Sequence, residues 1–97
     1  MKLTDFVSTP TPKKLIVNTP EVVAAYGEPL EFYILNPMPI EIYLKLSSLS
    51  TVEFLKEVLV KEDGTKAITE GSSLPGTLIP LVANVIWQDL GKLPGKN

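Results

Sequence analysis

Apolar positions recur along this chain with two different spacings, and the switch between them divides it into elements. Val22 to Tyr26 and then LEFYIL, Leu30 to Leu35, are runs rich in Val, Ile and aromatics on either side of Gly27-Glu28-Pro29. That arrangement predicts a β-hairpin, with Leu30, Phe32 and Ile34 on one face and Glu31 and Tyr33 on the other. Leu15-Ile16-Val17 is a shorter β-prone run ending at Asn18. Ahead of it, Pro10 and Pro12 remove backbone donors and hold the chain extended, so residues 1–18 are expected to form a partly flexible N-terminal arm.

Beyond the break at Asn36-Pro37-Met38-Pro39, Ile40, Ile42, Leu44 and Leu46 alternate with Glu41, Tyr43 and Lys45. A period of two reads as a strand. A proline at the first helical position is equally an ordinary helix start, and these residue types tolerate a helix, so the segment stays open between the two.

The spacing then becomes helical. Ser50-Thr51-Val52-Glu53 has the form of a capping box, in which the hydroxyl accepts from the amide three residues on and the carboxylate reaches back to the cap amide. Val52, Leu55, Val58 and Leu59 share one face of the helix expected over Val52 to about Lys61, and Glu57 and Lys61 are ordered as an i,i+4 pair on the other. Glu62-Asp63-Gly64 predicts a turn and Glu70-Gly71-Ser72-Ser73 a loop.

A last helix is expected from near Thr77, with Pro80 in its first turn and Leu78, Leu81, Val82, Val85 and Ile86 repeating at helical intervals. Gly91 stands where a left-handed C-cap residue belongs, Lys92 lies near the negative end of the dipole, and Pro94 prevents resumption. Ile79, Ala83, Trp87 and Leu90 form a second apolar line on this helix, more than one stripe of contact requires. Either the helix is central, packed between the sheet and the helix from Val52, or that line is exposed. The exposed reading makes Ile79, Ala83, Trp87 and Leu90 the candidate partner interface, for self-association or another protein. It also predicts that Trp87→Ala abolishes partner binding and keeps the fold.

Together these elements predict one small α+β domain over residues 19–92, a β-hairpin-containing sheet packed on two or three helices, followed by a flexible tail at 93–97. A chain of 97 residues has room for one core.

Composition narrows the chemistry by what it omits. The chain has no Cys, His or Arg, and its nine positive charges are all Lys. Thiolate and imidazole metal sites, disulfides and the usual neutral-pH acid–base residue are therefore excluded. A net charge of −2 without Arg leaves nothing from which to build a nucleic-acid stripe. No catalytic residue, metal ligand or cofactor site is expected, and no spacing pairs a nucleophile with a base. The Gly91-Lys92 and Gly95-Lys96 pairs both follow a helix, which is the wrong context for a phosphate loop. No apolar run is long enough to span a membrane and no secretory leader is evident, so the simplest compartment is the cytoplasm.

The order of these segments resembles a known family. A proline-bearing arm, a hairpin around YGEPLEFYIL, an amphipathic segment STVEFLKEVLV, the turn KEDGTKAI and LPGTLIPLVANVIWQDLGK with its Gly-Lys tail are similar, over roughly residues 21–97, to the tail assembly chaperones of long-tailed bacteriophages. The resemblance implies a non-enzymatic protein of the host-cell cytoplasm. Such a protein binds the helical tape-measure protein, keeps it soluble, helps recruit tail-tube protein and is absent from the finished virion. It also implies that Gly-Lys codons near the end of the gene are a site for a −1 ribosomal frameshift. Two other classes fit the same composition: a structural tail or virion component that uses the apolar C-terminal helix as a subunit contact, and a small regulatory protein-binding domain.

Overall fold

A computed structural model of the chain describes residues 1–93. After a 3-10 turn at Leu3–Phe6, the elements run β1 (Thr11–Val17), α1 (Pro20–Tyr26), β2 (Leu30–Asn36), α2 (Ile40–Lys45), a 3-10 turn at Leu46–Ser48, α3 (Thr51–Val58), β3 (Leu59–Val60) and α4 (Leu78–Leu90). The sheet is antiparallel in the order β1-β2-β3, with α4 packed on β1 and α3 packed on α4. The fold is a small α+β domain.

The expected arm is the first correction. Thr11 to Val17 pairs along its whole length with β2, from Thr11 opposite Asn36 to Val17 opposite Leu30. Leu15 and Val17 point into the core beneath α4, and the buried Val17 makes the strand part of the domain. Pro12 is compatible with this because β1 is an edge strand, where a missing N–H breaks no ladder on the solvent side. Lys13 and Lys14 on the same strand discourage a second chain from adding to that edge.

The hairpin is the second correction. Val22 to Tyr26 is helix, and α1 is the connection between β1 and β2, which pair antiparallel without a tight turn. The residues that decide this are at its ends. Thr19 Oγ accepts from the Val22 amide at 3.3 Å, and Pro20 occupies the first turn. Gly27 closes the helix at φ 78°, its amide donating to Val23 O at 2.8 Å. A cap, a proline at the first position and a left-handed glycine outweigh the β preference of Val22 and Val23.

Residues 40–46 are also helical: α2 followed by the short 3-10 turn. At Ser50 the capping box forms as expected, with the Glu53 amide donating to Ser50 Oγ at 3.2 Å and the Ser50 amide donating to Glu53 Oε1 at 3.0 Å. The helix it starts is shorter than expected, because Leu59 and Val60 leave it to pair with Ile34 and Tyr33. Glu57 consequently has no partner in Lys61 and is met by Lys45 at 3.4 Å and Lys66 at 3.6 Å.

The two faces of the sheet differ. Leu15, Val17, Phe32, Ile34 and Leu59 join α3 and α4 in the core. On the other face Val60 lies opposite Tyr33 and is buried although it stands outside that core cluster. The turn after β3 covers this face, with the Gly64 amide donating to Lys61 O at 2.9 Å and Gly64 resting near Pro12. Gly64 adopts φ 91°, the conformation that this tight turn needs.

Candidate functional site

The line Ile79, Ala83, Trp87 and Leu90 is not a free face. Ala83 is 6% exposed, Ile79 and Leu90 are partly buried and pack against the core, and Trp87 is the most exposed of the four, at 48%. The indole of Trp87 stacks on the buried ring of Phe54, with centroids 4.7 Å apart and an interplanar angle of 10°. Phe54 was not on the apolar face assigned to α3 from its spacing, and it is the residue that occupies the second stripe of α4. This corrects the exposed-interface reading: α4 is the central helix, with β1 on one side and α3 on the other. Its exposed Asn84 and Gln88 mark the strip that neither neighbour covers.

The end of α4 also differs in detail. Gly91 adopts φ −79°, ψ −8°, so it ends the helix without the left-handed conformation expected of it. Its amide donates to Trp87 O at 3.1 Å, and the Lys92 amide to Asp89 O at 3.1 Å, which tightens the last turn. Gly95-Lys96 and residues 94–97 of the expected tail lie outside the described residues, while Leu93 is exposed.

Two concave surfaces lie at opposite ends of α4. Near its start, Val52, Leu55, Ile68, Leu74 and Ile79 line a groove of about 200 Å³, with Lys56 as the charged residue of its lining. Ser72 on its rim is engaged in closing its own turn, its hydroxyl donating to Thr69 O at 2.6 Å and accepting from the Thr69 amide at 2.9 Å. Such a groove suits one or two apolar side chains from a partner and offers no nucleophile with a base beside it.

At the other end, an open cleft of about 580 Å³ lies between Phe6, the cis Asn36–Pro37 bond, Met38, Tyr43 and Leu90. Lys13 of β1 and Asp89 of α4 meet on its wall at 2.9 and 3.1 Å, and the Asp89 side chain is only 12% exposed. That pair ties the edge strand to the last turn of α4. Asp89, in the last turn of the helix, is held by this lysine.

The perturbed titrations lie away from both concavities. The Glu53 carboxyl is held below the ordinary glutamate range by the Ser50 amide and then the Ser50 hydroxyl. Asp63 is lowered by the Thr65 hydroxyl and amide, and Lys14 is raised by its bond to Glu31 at 3.0 Å. All three serve capping, turn closure and strand pairing. Among the described residues, no cluster of His, Cys, Asp or Glu suits a metal ion, and no helix is long and apolar enough to cross a membrane.

An apolar surface that spacing did not single out as a site lies on α2. Ile40, Tyr43 and Leu44 are 72%, 52% and 81% exposed while Ile42 is buried. The signal for it was the alternation of IEIYLKL, which gives one apolar face only if the segment is a strand. Compared with protein-family models, curated proteins and solved structures, the chain matches none.

Proposed function

We propose that this chain is a non-enzymatic tail assembly chaperone of a long-tailed bacteriophage, acting in the host cytoplasm. It holds a helical tape-measure protein in soluble form and helps bring tail-tube subunits to it. The reading rests on the order of segments from YGEPLEFYIL to the closing Gly-Lys pairs. The observation that carries it is the open apolar groove between α3, the loop at 68–74 and the start of α4. An amphipathic helix laid there would seat side chains of its apolar face against Val52, Leu55, Ile68, Leu74 and Ile79. Lys56 at the rim would meet an acidic residue on the partner's polar face.

The test is co-purification of the chain with the tape-measure protein encoded beside it. Val52 is 44% exposed, so Val52→Glu puts a charge on the groove without disturbing the core. The expected result is a loss of at least about tenfold in tape-measure binding with an unchanged circular dichroism spectrum. Equal binding by wild type and variant, or the chain found at fixed copy number in purified particles, refutes the proposal.

A further inference from the structure

The turn after β3 carries a reactive pair that neither concavity uses. Asp63 is followed by Gly64, whereas Asp5 and Asp89 precede Phe6 and Leu90. With no Cβ beside it, a glycine amide is the backbone nitrogen most open to the side chain before it. Attack on that side chain closes a five-membered imide. The Gly64 nitrogen bonds to Asp63 Cγ, and the amide proton leaves with the carboxyl hydroxyl as water. Hydrolysis at Cγ restores aspartate. Hydrolysis at the Asp63 main-chain carbonyl leaves isoaspartate, with the chain rerouted through Cβ. The water lost in closure returns in hydrolysis, so no other reactant is needed.

The fold occupies both reacting groups. Lys61 and Thr65 close a hairpin around Glu62-Asp63-Gly64, the Lys61 amide donating to Thr65 O at 2.7 Å and Val60 bridging to Lys66. Gly64, at φ 91°, takes the left-handed position that such a short loop requires. Its amide donates to Lys61 O at 2.9 Å, so the proton that must leave is engaged. Asp63 Oδ1 accepts from the Thr65 hydroxyl at 2.7 Å and from the Thr65 amide at 3.0 Å, which turns the carboxylate toward Thr65. Those two bonds also favour the ionised carboxylate, whereas the imide closes more readily from the protonated acid. We propose that Asp63-Gly64 is a site of spontaneous isoaspartate formation, held dormant in the folded chain by the hairpin and by Thr65.

The modification matters to the fold because isoaspartate adds a backbone atom to a loop whose length sets its turn type. It therefore loosens the hairpin that covers Val60 on the outer face of the sheet. The inference stands independently of the proposed function.

Ageing of the full chain at neutral pH tests it. Isoaspartate at residue 63 is located by electron-transfer fragmentation and counted by enzymatic methylation of its free α-carboxylate. The chain unfolded in guanidinium should accumulate it at least about tenfold faster than the folded chain, since one hydrogen bond to a charged group already amounts to a factor of that order. Thr65→Val keeps the amide and removes the hydroxyl. With an unaltered circular dichroism spectrum it should age several-fold faster than wild type when folded and at the wild-type rate when unfolded. Thr65→Ser, which keeps the hydroxyl, should age like wild type. Equal rates in the folded and unfolded chain, a folded Thr65→Val that ages no faster than wild type, or isoaspartate arising at Asp5 or Asp89 ahead of Asp63 would each overturn the proposal.

Discussion

Replacing Trp87 by alanine separates a structural ring from a docking ring. Trp87 is 48% exposed, so truncation forfeits about half the burial of a core tryptophan, for which alanine costs roughly 3–5 kcal/mol. The stack on Phe54 adds about 0.5–1.5 kcal/mol. The loss is therefore about 2–4 kcal/mol, a large part of the roughly 5–15 kcal/mol that holds a small domain together. For a chain of this size that corresponds to a fall in Tm of about 8–32 °C. Thermal unfolding should be followed by far-UV circular dichroism, because Trp87 is the single tryptophan and its removal abolishes the fluorescence signal. Trp87→Phe keeps an aromatic partner for Phe54 and should lose less than half as much. An alanine variant that melts within about 3 °C of wild type would show that the stack contributes nothing and return Trp87 to the class of free surface residues. The same reasoning withdraws the expectation that Trp87→Ala spares the fold, since the substitution strips the cover from Phe54.

Two further outcomes follow from the capping box and from the strand–helix ion pair. Removing the hydroxyl in Ser50→Ala should lower stability by about 1 kcal/mol at neutral pH. It should also relieve the part of the Glu53 depression that comes from the hydroxyl, read by NMR, while the larger part from the Ser50 amide stays. Since the folded-state value of Glu53 is the depressed one, its stabilising effect is complete above the ordinary glutamate range and fades as pH falls through the folded value. An unchanged Glu53 titration in the variant would contradict a contribution from the hydroxyl, since the alanine keeps the Ser50 amide. Lys13→Met leaves the nearly buried Asp89 carboxylate without its partner and should cost about 1 kcal/mol. The cost should shrink in high salt, and a salt-independent loss would point to packing of the lysine stem instead.

The start of α3 was legible because its side chains cap their own backbone. Ser50 and Glu53 specify the start of α3 locally, and Pro80 fits the first turn of α4, so those elements stand where their residues put them. Thr19, Pro20 and Gly27 carry the same kind of information for α1, but the β-prone pair Val22-Val23 gave a competing signal within a helix of seven residues. Leu59 and Val60 continue the apolar face of α3 and leave the helix only because β2 offers them hydrogen bonds. The candidate interface fared worse, because a helical wheel counts apolar positions and cannot count neighbours.

By itself, then, the sequence determined the small α+β class, the capped start of α3, the turn at Glu62 to Gly64 and the absence of His, Cys and Arg chemistry. Each of these depends on residue type or on contacts within a few residues. Only the tertiary structure decided that Thr11 to Val17 is an edge strand, that Phe54 fills the second stripe of α4, and that Ile40, Tyr43 and Leu44 remain outside. Those outcomes depend on partners far along the chain: β2 for β1, α3 for α4, and none within the described fold for the outer face of α2. Apolar spacing states that a surface must be covered, and packing between distant segments states by what.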